Sequence, residues 1–260
     1  VDRFDLYELC VQSPAHLVPF LRAVHGRGPR ILGEDFCGTG AISRAWIASI
    51  EGGRAIAVDR DAEALARARC DERITVIEGD VRTATDPTRH SADVIFAGNF
   101  SIGELADRGS LIAYFRHVRA RLRRDGVFVC DTYSGASAFR TGAIERMHAS
   151  PDGAMIRYTW EQRGADPLTA RVENALHFRV ERAGEIVQEI TDAFVYRWRL
   201  WSVPEVRDAL AEAGFASSEV YSELPREGEF DSQFASEVSV HPADGRELAE
   251  SFIVCVAGRK

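Results

Sequence analysis

Short apolar runs alternate with amphipathic stretches through the first half of the chain, the pattern of βαβ units assembled into a parallel sheet. Five runs read as strands, at 30–35, 54–59, 75–79, 93–97 and 126–131, and each ends on a small or acidic residue where a strand gives way to a loop. Between them the apolar positions take helical spacing. Ile42, Trp46 and Ile50 recur every four residues, and Leu111, Phe115, Val118 and Leu122 follow at four, three and four. Arginines crowd the stretch from Arg119 to Arg124 just before Gly126, which reads as a last helical turn closed by glycine.

Beyond 131 the period changes. Segments 155–162, 170–180 and 185–201 alternate as longer strands of an antiparallel sheet, with turns at 164–167 and 183–184. A helix resumes over 203–213, with Pro204 in its first turn and Gly214 past its end, and two last strands follow at 215–221 and 251–258. The segment 222–250 is polar and reads mostly as loop. The expectation is one α/β domain: capping helices over 1–29, a core over 30–135, an inserted antiparallel layer over 150–201, and completion of the core over 203–260.

Charge narrows the function. The 260 residues carry 32 Lys and Arg against 40 Asp and Glu, a net charge of −8, which argues against a broad basic surface for nucleic acid or anionic lipid. No apolar run approaches the roughly 20 residues of a bilayer span, and the first residues lack a signal-peptide layout, so a soluble, cytoplasmic protein is expected. The five cysteines are scattered, without a C-x-x-C pair or a histidine at ligand spacing, which argues against a disulfide framework and a bound metal.

The chemistry concentrates in ILGEDFCGTGAIS at 31–43, where a strand ending in two acids runs through Gly38-Thr39-Gly40 into an amphipathic helix. Glycines let a ligand approach the backbone, and a helix N-terminus offers free N–H groups. Asp59 ends the second strand 19 residues after Gly40, where a carboxylate can take both hydroxyls of a ribose. Asp80 follows the third strand and can accept from an exocyclic amine of adenine. Three acids at consecutive strand ends lie on the edge of the sheet where such folds bind ligands.

In these residues the chain resembles the class I S-adenosylmethionine-dependent methyltransferases. Their glycine-rich motif corresponds to residues 34–40, their ribose acid to Asp59 with Arg60 beside it, and their adenine-side motif to Gly79-Asp80-Val81. The likeness continues through Asp93-Val94-Ile95-Phe96 with Asn99, through LRRDGVFVCDTY, and again over 203–258. It implies a Rossmann-like, doubly wound seven-stranded sheet with an antiparallel seventh strand at 251–258. It also implies S-adenosylmethionine as cofactor, held by Glu34, Phe36, Gly38, Gly40, Asp59, Arg60, Asp80, Val81 and Asn99, with Glu34 taking the ammonium and Tyr7 closing over the methionine end. One departure is Phe36 at the family's first glycine: either it keeps a β-like conformation, or the turn differs from the usual one. A dinucleotide oxidoreductase shares the Gly-x-Gly and distant acid, but Ser43 stands at its third glycine and Asp80 has no role in it.

The residues 99–102 lack the Asn-Pro-Pro-Tyr type of motif that the resemblance associates with methylation of nucleic-acid bases. A small-molecule acceptor is expected, with the inserted sheet as its cover, as in members that resemble glycine and amino-sugar N-methyltransferases. Alternation puts Phe194, Tyr196, Trp198 and Leu200 on one face and Val195, Arg197, Arg199 and Trp201 on the other. Tyr196, Trp198 or Trp160 would wall an amine pocket, and Arg197 or Arg199 would meet an acceptor carboxylate or phosphate. An amine acceptor needs no base; for a hydroxyl, Tyr133, His177, His148 or Asp131 are the candidates. The alternatives are a cofactor-binding member that transfers nothing and a peptide methyltransferase with 222–250 as one wall of its groove. A homo-oligomer is left open.

Overall fold

The computed structural model describes residues 1–222, 240–243 and 250–260, so the polar 222–250 segment lies almost wholly outside the described residues. Two helices, α1 (Arg3–Cys10) and α2 (Pro14–His25), precede β1 (Ile31–Asp35), α3 (Ala41–Ser49), β2 (Arg54–Asp59), α4 (Ala62–Ala68), β3 (Ile74–Glu78) and β4 (Ala92–Ala97). Then come α5 (Arg108–Arg121) and β5 (Leu122–Ser134), four strands β6 (Gly142–Ala149), β7 (Met155–Asp166), β8 (Arg171–Arg182) and β9 (Glu185–Arg199), and finally α6 (Val203–Glu212), β10 (Ser217–Tyr221) and β11 (Phe252–Arg259).

The first sheet has seven strands in the order β10-β11-β5-β4-β1-β2-β3. Strands β1 to β5 run parallel, and β11 is antiparallel to both β5 and β10. The two-residue side-chain period of a strand divides its apolar residues between two layers. Ile95, Ala97, Phe128 and Cys130 face α5 and α6, while Val94, Phe96, Val127 and Val129 face α2 and α3. The anticipated helix stripes sit there: Trp46 under α3, and Leu111, Phe115 and Val118 under α5, are all fully buried. Helix starts are capped as their sequences suggest, with Asp2/Asp5 and Ser202/Glu205 forming capping boxes for α1 and α6.

The second sheet is an antiparallel meander, β6-β7-β8-β9. Its inner face carries Tyr158, Leu176, Phe178 and Phe194, and packs on Leu6 and Cys10 of α1. Its outer face is laced by ion pairs such as Arg157–Glu145 and Arg179–Glu189.

Four local readings are corrected. The inserted layer begins at Gly142, because pairing with β7 makes a strand of a stretch that is exposed almost throughout and so carries no alternation. Trp201 lies past the end of β9, buried in the main core with its indole N–H donating to the Leu105 carbonyl at 3.1 Å. Phe215 is likewise a buried core residue ahead of β10. The helix before Gly126 is not closed by that glycine: α5 ends at Leu122 with Arg119 and Arg121 in its last turn, Gly126 lies inside β5, and Arg121 is fully buried against Asp35.

Candidate active site

β1 and β4 are neighbours from which the chain leaves in opposite directions, the point in such sheets where ligands bind beyond the carboxyl ends of the strands. The loop leaving β1 there is shaped by three residues at positive φ, Phe36 (57°), Gly38 (53°) and Gly40 (71°). Phe36 is therefore not β-like but left-handed, a conformation that costs a side-chain-bearing residue roughly 1–2 kcal/mol. Its ring is held edge-on against Tyr114, with centroids 5.9 Å apart. Tyr114 in turn donates its hydroxyl to Asp35 at 2.9 Å, and Arg121 donates to both oxygens of the same carboxylate at 2.9 Å. Gly40 has no room for a side chain, since a Cβ there would stand 2.8 Å from that of Ala68. The loop is latched to β2 by the Cys37 N–H on the Val58 carbonyl (3.0 Å) and the Gly38 N–H on the Asp59 carboxylate (2.7 Å).

A cavity of about 220 Å³ opens above this loop. Its floor includes Phe36, Gly38 and Thr39, and one wall holds Asp59, Arg60 and Asp61, with Asp61 also capping α4. The opposite wall comes from the end of β4: Asn99, then Ser101 and Glu104 in a short 3₁₀ turn. Asn99 and Phe100 both adopt left-handed φ (54° and 61°), and their successive N–H groups converge on the carboxylate of Asp131 at 2.9 and 2.6 Å. Asp131 is thus bound to backbone rather than free to take a proton from an acceptor, and burial pushes its carboxyl up to about 6. The roof is made by Phe4, Tyr7 and Gln12 of the N-terminal segment together with Phe194, Tyr196 and Trp198 of β9. The Tyr7 and Tyr196 hydroxyls are hydrogen-bonded to each other, and Phe194, Tyr196 and Trp198 stack along the strand.

Of the expected site residues, the structure brings Tyr7, Phe36, Gly38, Asp59, Arg60, Asn99, Tyr196 and Trp198 to this cavity. Gly40 serves just below as the N-cap of α3. Glu34 is turned away beneath the loop, where its carboxylate accepts from both the N–H and the hydroxyl of Ser43, and burial raises it to about 7. Val81 is a core residue. Asp80 is gripped by the fork of Arg82, which lowers its carboxyl to about 2; Arg60 contributes to that lowering. Trp160 stands behind the roof, 6.0 Å from Trp198 between ring centroids.

Arg197 and Arg199 do not reach the cavity. Arg197 is exposed and paired with Glu173, and Arg199 pairs with Glu205 while covering the ring of Trp201. His177 lies on the outer face of the sheet between Glu161 and Asp192, and Tyr133 donates its hydroxyl to Gln162 at 2.9 Å. Sequence reasoning missed Gln12, Thr39, Asp61 and Glu104. Asp61 has the signature of a helix N-cap, which was legible; Glu104 has none, since only the fold brings it under Trp198, whose indole N–H it accepts at 3.1 Å.

Chemically the cavity pairs aromatic walls with carboxylates. Asp59, Asp61 and Glu104 face it against the one guanidinium of Arg60, which stands 3.9 Å from Glu104. This suits a ligand with hydroxyls, a flat heterocycle and positive charge, and S-adenosylmethionine has all three. Sheet order, antiparallel last strand and the glycine loop after β1 together define a class I methyltransferase fold. Residues 36–126 match the methyltransferase domain family, so the chain carries a methyltransferase domain, an enzyme whose methyl donor is S-adenosylmethionine. No match is found among curated proteins.

Solved structures similar to the whole chain include the sugar N-methyltransferase KedS8 from Streptoalloteichus sp. (19% identity, 99% of this chain and 92% of that one, TM-score 0.69). DesVI of Streptomyces venezuelae is also similar (19%, 99% and 98%, 0.72). A third is CalS10, an amino pentose methyltransferase from Micromonospora echinaspora (17%, 99% and 96%, 0.67). At these identities the likeness establishes the fold. Among the described residues no helix is long and apolar enough to cross a membrane.

Proposed function

We propose that the chain transfers the methyl group to an amine nitrogen of a small molecule, of the amino-sugar kind. The observation that carries this reading is that no histidine is among the described residues lining the cavity, and that each of its three carboxylates holds a donor from the protein, which lowers its basicity while leaving lone pairs free. Asp59 accepts the N–H groups of Gly38 and Asp61, Asp61 accepts those of Glu63 and Ala64, and Glu104 accepts the indole of Trp198. A hydroxyl acceptor needs a base to take its proton in the transition state, whereas a neutral amine brings its own lone pair. Support also comes from KedS8 and CalS10, which are named as sugar N- and amino pentose methyltransferases.

When bound, S-adenosylmethionine supplies an electrophilic methyl on a sulfonium. The residues of this chain position and shield. Asp59 takes the ribose hydroxyls. The left-handed pair Asn99-Phe100, clamped by Asp131, presents Asn99 to the cavity as a hydrogen-bonding group for the acceptor. Tyr196 and Trp198 face it with aromatic surface that favours the positive charge of the sulfonium and excludes water. Alignment of this kind is the main lever for an in-line displacement. The test is turnover with S-adenosylmethionine across paired acceptors that differ only in amine versus hydroxyl. N-methylated product from the amine member alone supports the reading, O-methylated product overturns it, and donor binding without any product favours a non-transferring member.

A further inference from the structure

Two phenylalanines among the described residues sit at left-handed φ, Phe100 (61°) and Phe36 (57°), and each belongs to a loop that walls the cavity. The first is set by Asp131, which accepts its N–H at 2.6 Å. Phe36 is set from below, by one residue of α5. Tyr114 is fully buried and grips two consecutive residues of the glycine loop: its ring meets that of Phe36 edge-on, centroids 5.9 Å apart, and its hydroxyl donates to the Asp35 carboxylate at 2.9 Å. Tyr114 is fixed in turn by the rings of Phe115 and Phe128, at 5.9 and 6.0 Å, and Asp35 by Arg121. Phe36 itself is only half-buried and lines the cavity. A residue with a Cβ leaves the left-handed region unless its surroundings hold it there. From this turn the chain runs to β2, where Cys37 and Gly38 are latched to Val58 and Asp59.

We infer that Tyr114 is a positioning residue of the methyl transfer: through the ring of Phe36 it holds the glycine loop in the left-handed turn that the methyl donor binds. Tyr114 has no exposed surface and acts on the donor only through Phe36. A loop that loses this grip spends part of its time out of the turn, and donor affinity falls in proportion to the fraction lost. A glycine at 36 would need no grip, since it adopts positive φ freely. The inference rests on the cavity being the donor site.

The test measures S-adenosylhomocysteine binding by calorimetry on folded protein, where a loss of stability alone does not move the affinity. Phe36→Ala removes the ring yet keeps a Cβ in the left-handed region, and should weaken binding about tenfold. Phe36→Gly also removes the ring but takes up the turn without strain, and should bind about fivefold tighter than the alanine variant. Tyr114→Leu should weaken binding about fivefold beside Phe36, and by less than about twofold in a Phe36→Gly background. Alanine and glycine variants of equal affinity overturn the inference while leaving the donor site in place, and this comparison holds even where Tyr114→Leu fails to fold. So does a Tyr114→Leu variant with no loss, or with the same loss in both backgrounds. A parent that does not bind S-adenosylhomocysteine removes the donor site, and the inference with it.

Discussion

Replacing Asp59 with alanine tests the donor site at the residue with the most tasks. Its carboxylate accepts the Gly38 N–H at 2.7 Å and the Asp61 N–H at 3.0 Å, so it shapes the glycine loop and the turn after β2 while still having lone pairs for ribose hydroxyls. Loss of a charged acceptor to the ribose costs about 1.5–3 kcal/mol, or roughly 10- to 150-fold in affinity. The two N–H groups it releases border an open cavity where water can take them, so the fold loses much less than the ligand does. Titration calorimetry with S-adenosylhomocysteine and with methylthioadenosine should show losses of that size for both, because both carry the ribose. Asp59→Asn, which keeps an acceptor without the charge, should fall between the parent and the alanine variant. An affinity within twofold of the parent for Asp59→Ala, in a protein with a normal melting curve, would refute the placement of the ribose.

Three more outcomes follow from the geometry. Arg121→Met strands a buried carboxylate on Asp35 and should cost about 3–5 kcal/mol in urea denaturation, with part recovered by adding Asp35→Asn; a loss under about 1 kcal/mol contradicts the account of the pair. Glu34 titrates at about 7 in the folded chain against 4.5 normally. The folded state therefore holds its proton where the unfolded state has lost it, and between those values its contribution to stability falls as pH rises, by up to about 1.4 kcal/mol per unit. Glu34→Gln should flatten that slope between pH 5 and 7, and a parent and variant with parallel pH curves would show that the carboxyl titrates normally. Tyr7→Phe keeps the ring and removes the bond to Tyr196, so donor affinity or turnover should fall severalfold, by about 0.5–1.5 kcal/mol; a variant equal to the parent in both excludes Tyr7 from closing the site.

Most of the parallel sheet could be read from the chain because β1, β2 and β4 are buried on both faces and their runs close on a small or acidic residue, so that pattern and position agree. β6 could not, since a strand with both faces exposed keeps no period and exists only by pairing. In the site, Asp59 and the glycine loop were legible through their spacing, which local backbone geometry dictates. Arg197 and Arg199 looked equally promising by alternation, yet alternation assigns a face without saying which face meets the cavity, and the aromatic one does. Glu34 shows the same limit at the scale of one residue: the motif assigns it to the cofactor, but Ser43, nine residues on, decides what its carboxylate touches. Arg121 stands in the last turn of α5 as its sequence suggests, but the residues before Gly126 do not reveal that Asp35 waits beneath it.

The roof over the cavity has a consequence for the order in which the molecule is made. α1 has ion pairs with Arg44, Glu63 and Arg67 close by in the chain, yet the partners of its other side come far later: Arg3 donates to the Ala193 carbonyl, Gln188 to that of Val1, and Leu6 packs with Tyr158 and Phe178. During synthesis α1 has nowhere to dock on that side until β9 has followed it, nearly two hundred residues on. The glycine loop and its sheet can form while the chain is still growing, but the enclosed site belongs only to a chain that has reached β9. Contacts of such separation are slow to close, so burial of Tyr7 should trail the formation of the parallel sheet in refolding as well.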